Sequence, residues 1–178
     1  MSDAIRVGLV GFGYASKTFH APLIGGTPGM ALKAVASSDA DKVHADWPGV
    51  KVMSAPGDLL DDPDIDLVVI ATPNDTHFPL AKAALEAGKH VVVDKPFTVT
   101  LSQARELESL AKHCGRILSV FHNRRWDSDF LTVSALINEG QLGEVCYFES
   151  HFDRFRPQVR QRWREQAGPG SGIWYDLA

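Results

Sequence analysis

A chain of 178 residues is long enough to bury one full hydrophobic core together with the opening of a second unit. Its formal charge of −4, from 18 basic and 22 acidic side chains, argues against a nucleic-acid partner. Cys114 and Cys146 have neither metal-ligand spacing nor the density of a secreted disulfide scaffold. No basic segment and apolar core open the chain, and no apolar run nears the roughly 20 residues of a membrane span, so the expectation is a soluble, cytoplasmic protein without a metal.

Ile5 to Ser16 reads as strand, tight turn and helix start. The apolar run is of the kind buried on both faces of a parallel sheet. Gly11 permits the sharp turn, and Gly13 lets the backbone approach a pyrophosphate, which would rest on the unpaired N–H groups of the following helix. Ser16 stands where this fingerprint has its third glycine, and is small enough to keep helix close to strand. Taken alone, the pattern is equally an ordinary glycine-rich turn.

A short helix over 16–24 ends in a loop over 25–29. Residues 30–36 form a second strand, 39–47 a polar helix stopped by Pro48, 50–53 a brief strand and 56–60 a turn or two of helix. The continuous branched run Leu67–Ala71 must lie centrally in a sheet. Strong helix formers over 79–87 end at Gly88, where a left-handed cap belongs. Residues 90–93 return as a strand, Thr100 with Gln103 makes a capping box for a helix to Cys114 that Gly115 closes, and 117–121 is a further strand. This alternation predicts an α/β, doubly wound parallel sheet over residues 1–122, with ligands beyond the carboxyl ends of its strands.

Past Phe121 the pattern changes. Asp127 can cap a helix to Glu139, with Gly140 after it, and 144–155 has the mixed polarity of a half-solvated antiparallel strand. Residues 123–178 therefore read as the start of an α+β antiparallel-sheet domain. The basic segment 154–164, with Phe155 and Trp163 interleaved, fits an exposed stretch over an anionic ligand or partner chain better than a nucleic-acid contact. A flexible loop covers 168–172.

Two stretches stand at the ligand-facing edge. Thr72-Pro73-Asn74-Asp75-Thr76-His77 follows the central strand and can meet a ribose or nicotinamide; the same residues also suit a turn and helix N-cap. Asp94-Lys95-Pro96 follows the next strand. A lysine held there beside a substrate suits proton transfer, against the alternative of a surface lysine, and Pro96 restricts the Lys95 backbone to extended conformations.

Gly11-Phe12-Gly13, Thr72-Pro73-Asn74 with His77, and Asp94-Lys95-Pro96, in this order and spacing, resemble the glucose-fructose oxidoreductase, inositol dehydrogenase and MocA family of nicotinamide-dependent dehydrogenases. The resemblance continues through His122–Asp127 and Arg162–Glu165 to Tyr175-Asp176-Leu177. It implies a Rossmann domain that binds dinucleotide through Gly11, Phe12, Gly13, Tyr14, Ala15, Ser37, Ser38, Thr72, Pro73, Asn74, His77, Asp94 and Lys95. It implies a second, antiparallel-sheet domain, homo-oligomers formed through that domain when complete, and a polyol, inositol or sugar substrate between the domains. Lys95 looks like the family's catalytic lysine, with Asp94 where the family usually has glutamate. Asp176 looks like its active-site aspartate, whose histidine partner would fall two residues past Ala178, so that this chain by itself is expected to be inactive. A nucleotide-binding module without turnover is the rival reading.

An NAD enzyme of this architecture places Asp or Glu near the end of the second strand for the ribose 2′-hydroxyl. Here Ser37 and Ser38 stand there with Lys42 nearby, so NADP is the expected cofactor, with NAD possible.

Overall fold

The computed structural model describes residues 4–153, 155, 157–158, 165–172 and 174–175. Six strands, β1 (Ile5–Val10), β2 (Met30–Ala36), β3 (Lys51–Met53), β4 (Leu67–Ile70), β5 (His90–Asp94) and β6 (Leu118–Phe121), form one sheet in the order β3-β2-β1-β4-β5-β6. Every pairing is parallel. Chain order reverses between β1 and β4, and the crevice at their carboxyl ends is where an open sheet of this kind takes its ligand.

The strands read as unbroken apolar runs because both faces are covered. On one face Val7, Leu9, Val35 and Val69 pack with Ala21 and Ile24 of α1 (Ala21–Gly26) and Val43 of α2 (Ala40–His44). On the other, Val10, Val68, Ile70, Val91 and Val93 pack with Leu59 of α3 (Pro56–Leu60), Leu85 of α4 (Asn74–Glu86) and Leu107 of α5 (Leu101–Cys114). The predicted doubly wound sheet is therefore present. The capping box at the head of α5 is formed from both sides, and Gly115 closes the helix at φ 63°.

Three elements differ from the sequence expectation. The fourth helix starts at Asn74 rather than 79, so Pro79 lies inside it and leaves the Asp75 carbonyl without its helical donor. Burial of Ala81, Ala84 and Leu85 to 0% exposure outweighs that loss. After the glycine turn the chain makes a π turn, Ser16–His20, and runs on as α1 through Gly26, beyond the expected loop boundary. The predicted strand over 144–155 is absent among the described residues: 145–153 carry no regular structure, and Tyr147, Phe148 and Phe152 are exposed. A strand needs a neighbour for its N–H and C=O groups, and no described residue pairs with it.

Residues Met1–Phe121 and Trp163–Ala178 form one compact unit and His122–Arg162 another. In the first unit, the Asn74 side-chain amide donates to the Gly170 carbonyl at 2.6 Å and the Tyr175 hydroxyl lies 3.4 Å from the Val99 carbonyl. In the second, a 3₁₀ turn (Asn123–Trp126) leads into α6 (Ser128–Asn138). Asp127 occupies the predicted N-cap position, but its carboxylate pairs with Arg124 at 2.7 Å instead of capping the helix. Most of the basic segment, Arg154 and 159–164 included, lies outside the described residues. Among the described residues, no helix is long and apolar enough to cross a membrane, and no cluster of His, Cys, Asp or Glu could hold a metal ion.

Candidate functional site

The site is assembled by the loops that leave β1, β2, β4 and β5. At the end of β1, Gly11 adopts φ 88°, and a Cβ there would lie 2.8 Å from the Ala71 carbonyl oxygen and 3.1 Å from Thr72 Cγ2. The turn is thus pressed directly against the end of β4, at the switch point, and only glycine fits. Gly13 is different. It is exposed, its φ is outside the left-handed region, and a Cβ there would meet no protein atom within 4 Å. The fold does not demand glycine at 13; the open space beside the first N–H groups of the helix is room for a ligand. A diphosphate fits this cradle by chemistry as well as by space, since Gly13 heads the helix by accepting the Lys17 N–H at 3.0 Å and no acidic side chain occupies the first turn.

Ser16 turns out to reinforce the turn. It is fully buried, and its hydroxyl donates to the Gly11 carbonyl at 2.8 Å, so the side chain replacing the third glycine ties the helix back to the loop. Phe12 points into the core at 5% exposure, which leaves only its backbone for a cofactor, whereas Tyr14 is 77% exposed beside the cradle, edge-on to Phe19. Ala15 lies half-buried behind it.

At the end of β4, the Thr76 hydroxyl donates to the Pro73 carbonyl at 2.6 Å and accepts from Thr72 Oγ1, also at 2.6 Å. Pro73 is exposed and Asn74 buried, with Asn74 Oδ1 lacking a hydrogen-bond partner. His77 is placed otherwise than as a ligand contact. It is 1% exposed, and its Nδ1 and Nε2 lie 2.8 Å from the Pro96 carbonyl and 2.9 Å from the Thr72 carbonyl. Both partners are acceptors, so the ring bridges the loops after β4 and β5 and has no nitrogen left for a cofactor. Sequence spacing could not show this, because Pro96 is far along the chain.

At the end of β5, Asp94 Oδ1 accepts the Lys95 backbone N–H at 2.7 Å, and Lys95 itself is half-buried, before a cis peptide to Pro96. Burial alone would push the Asp94 carboxyl up. His20, the Lys95 N–H and the charge of His77 outweigh it and hold the group below the ordinary carboxylate range. His20 is the residue that sequence reasoning missed. It is 3% exposed, with Nε2 3.6 Å from Asp94 Oδ2. Asp176 lies outside the described residues.

At the end of β2, Ser37 is half-buried and Ser38 exposed. The nearby acidic residue, Asp39, spends one carboxylate oxygen capping α2, accepting the Lys42 N–H at 2.9 Å, while its own N–H faces Ser37 Oγ at 3.2 Å. The Lys42 side chain is exposed on the same short helix.

Residues 5–122 match the Gfo/Idh/MocA oxidoreductase family's NAD-binding Rossmann fold, and residues 134–178 match that family's C-terminal alpha/beta domain. The chain belongs to this family. It is 79% identical over its whole length to the uncharacterized oxidoreductase YdgJ of Escherichia coli, covering 51% of that protein. It is 39% identical to the NADP(+) scyllo-inositol 2-dehydrogenase IolW of Bacillus subtilis, over 98% of this chain and 49% of that one. The chain thus spans about half the length of these relatives. Among solved structures, YPO2259 of Yersinia pestis superposes with a TM-score of 0.93 at 71% identity, covering 99% of this chain and 50% of its own.

Proposed function

We propose that the protein to which this chain belongs is an NADP-preferring dehydrogenase that moves a hydride between the cofactor and a secondary hydroxyl of a polyol, inositol or sugar. In this reading residues 1–122 carry the nucleotide and 123–178 open the substrate domain, a division supported by the separate family matches over 5–122 and 134–178. The observation that carries the nucleotide half is the cradle at Gly13, open where the fold itself would tolerate a side chain. Backbone N–H groups from Phe12 to Ala15 would hold the diphosphate, on a turn that Gly11 shapes while its own N–H donates to the Ala36 carbonyl at 2.9 Å. Ser37 and Ser38 would hold the 2′-substituted ribose, and Thr72, Pro73 and Asn74 would border the nicotinamide. When bound, the nicotinamide supplies the hydride chemistry.

Lys95 holds or moves the proton of the reacting hydroxyl, and Asp94 fixes its backbone. NADP is favoured over NAD because the end of β2 presents hydroxyls and an exposed lysine, while Asp39 is committed to its helix cap. The NADP(+) dehydrogenase among the relatives supports both the cofactor and the substrate class. The family resemblance supports assembly into homo-oligomers through the completed second domain, and a role for Asp176 beside a histidine supplied by that domain. The test is a dehydrogenase screen over inositols and aldoses with both cofactors, run on this chain extended through the second domain. NADP-linked turnover of a polyol is the expected result; its absence across the panel, with NADP still bound, would leave the rival, a nucleotide-binding module.

A further inference from the structure

The π turn after the glycine loop turns two polar side chains inward, Ser16 and His20, at 0% and 3% exposure. Ser16 serves the glycine turn. His20 has no such local purpose: its Nε2 is buried without a hydrogen-bond partner, an arrangement that costs stability where an apolar side chain would not. The Phe121 ring lies against the imidazole, centroids 4.2 Å apart, and Nε2 faces Asp94 Oδ2 at 3.6 Å. That separation is too long for a hydrogen bond, so the contact acts through the N–H dipole or charge, and a shift of well under 1 Å would close it into a bond. The other oxygen of the same carboxylate holds the Lys95 N–H at 2.7 Å.

We infer that His20 is a positioning residue for Lys95: it steadies the Asp94 carboxylate that fixes the lysine's backbone, and it does so from the helical turn that also anchors the nucleotide-binding loop. One turn of helix thereby joins the cofactor cradle, through Ser16, to the catalytic strand end, through His20 and Asp94. The inference rests on the reading of Lys95 as the acid–base residue. The titratable groups whose charge bears on Asp94 are His20 from the π turn and His77 from α4, beside the Lys95 backbone N–H; across the sheet Asp94 is in register with the uncharged Phe121 of β6. With the imidazole removed, burial acts on Asp94 with less opposition, so its proton affinity rises.

The test uses His20→Leu, which keeps bulk without polarity, and His20→Gln, whose amide can place a donor where Nε2 stands. Carboxyl carbon NMR of the 178-residue chain follows the Asp94 titration directly and needs no turnover. His20→Leu should move that titration to higher pH, and His20→Gln should restore it at least in part. In the chain completed with its second domain, His20→Leu should lower kcat roughly tenfold to a hundredfold, the scale of a misplaced catalytic group, with KM for NADP changed less than about threefold. The acid limb of kcat should move up in pH with the Asp94 titration, and His20→Gln should recover most of the rate. An unmoved Asp94 titration, or a kcat loss that glutamine repairs no better than leucine, overturns the inference. Should His20→Leu fail to fold, His20→Met takes its place as the variant without a donor: an Asp94 titration moved to higher pH with a lowered rate, both recovered in His20→Gln, supports the inference, and an unmoved titration or a loss that glutamine does not repair overturns it. Lys95→Met separates this from the parent reading. If that variant keeps its turnover, the reading of Lys95 has failed; if it loses turnover while His20→Leu does not, only the role of His20 has failed.

Discussion

Alanine at Gly11 and alanine at Gly13 should do opposite things, although the two positions are neighbours in one turn. At Gly11 the φ of 88° costs an L-residue roughly 1–2 kcal/mol. The new Cβ would also press on the Ala71 carbonyl oxygen at 2.8 Å, a backbone atom that cannot swing aside, adding about 1–3 kcal/mol. A total near 3 kcal/mol lowers the thermal midpoint of a domain this size by about 10 °C. At Gly13 the added methyl meets nothing within 4 Å and the backbone is unstrained, so stability should hold or rise by up to about 1 kcal/mol. The same methyl enters the space assigned to the diphosphate, and NADP affinity should fall about tenfold or more, at least 1.4 kcal/mol. Circular-dichroism melts and calorimetric NADP titrations of the two variants measure both quantities. Unchanged NADP affinity in Gly13→Ala, or a midpoint as low as that of Gly11→Ala, would refute the reasoning.

Ser37→Asp should turn the nucleotide preference from NADP toward NAD, because a carboxylate at the end of β2 bonds a ribose 2′-hydroxyl and repels a 2′-phosphate; paired titrations check it, and tighter NAD than NADP binding by the unaltered chain would contradict it. Lys95→Met in the completed protein should cost about a hundredfold or more in turnover with cofactor affinity little changed, and a loss below about threefold in steady-state assays would remove Lys95 from the mechanism. The Arg6 guanidinium holds the Asp66 carboxyl down at about 2 from an ordinary 3.8. This depressed group contributes its stability above pH 3.8 and loses it as pH falls toward 2. Asp66→Asn should therefore cost about 1 kcal/mol at pH 7, after screening at this half-exposed pair, and almost nothing near pH 2, as urea midpoints at the two pH values would show.

The parts of the fold that were legible in the sequence are those written locally. The strand Met30–Ala36, the helix Pro56–Leu60 and the capping box of Thr100 and Gln103 depend on residues adjacent in the chain, and they form as read. The head of α4 was obscured by Pro79, whose local cost is overridden by burial of Ala81, Ala84 and Leu85 on the sheet. The stretch 144–155 has the alternation of a strand, but alternation creates only one side of a pairing. The glycine turn was visible as a pattern; that Gly11 is required by protein packing and Gly13 is not emerged only once Ala71 and Thr72 were set beside them. His77 looked like a ligand-facing side chain, and its commitment to the Thr72 and Pro96 carbonyls depends on two loops that meet only in space. His20 carried no motif at all. Its signal was a histidine set between Phe19 and the apolar run Ala21–Ile24, and its meaning lies in Asp94, a strand end brought near by the parallel topology.

The central claim, that the carboxyl edge between β1 and β4 is a dinucleotide site, is tested most directly by amide NMR of the 178-residue chain titrated with NADP. Saturable shifts confined to Gly11–Ser16, Ser37–Ser38 and Thr72–Asn74, stronger with NADP than with NAD, are the predicted result. Absence of saturable binding, or shifts gathered at another edge of the sheet, would contradict it.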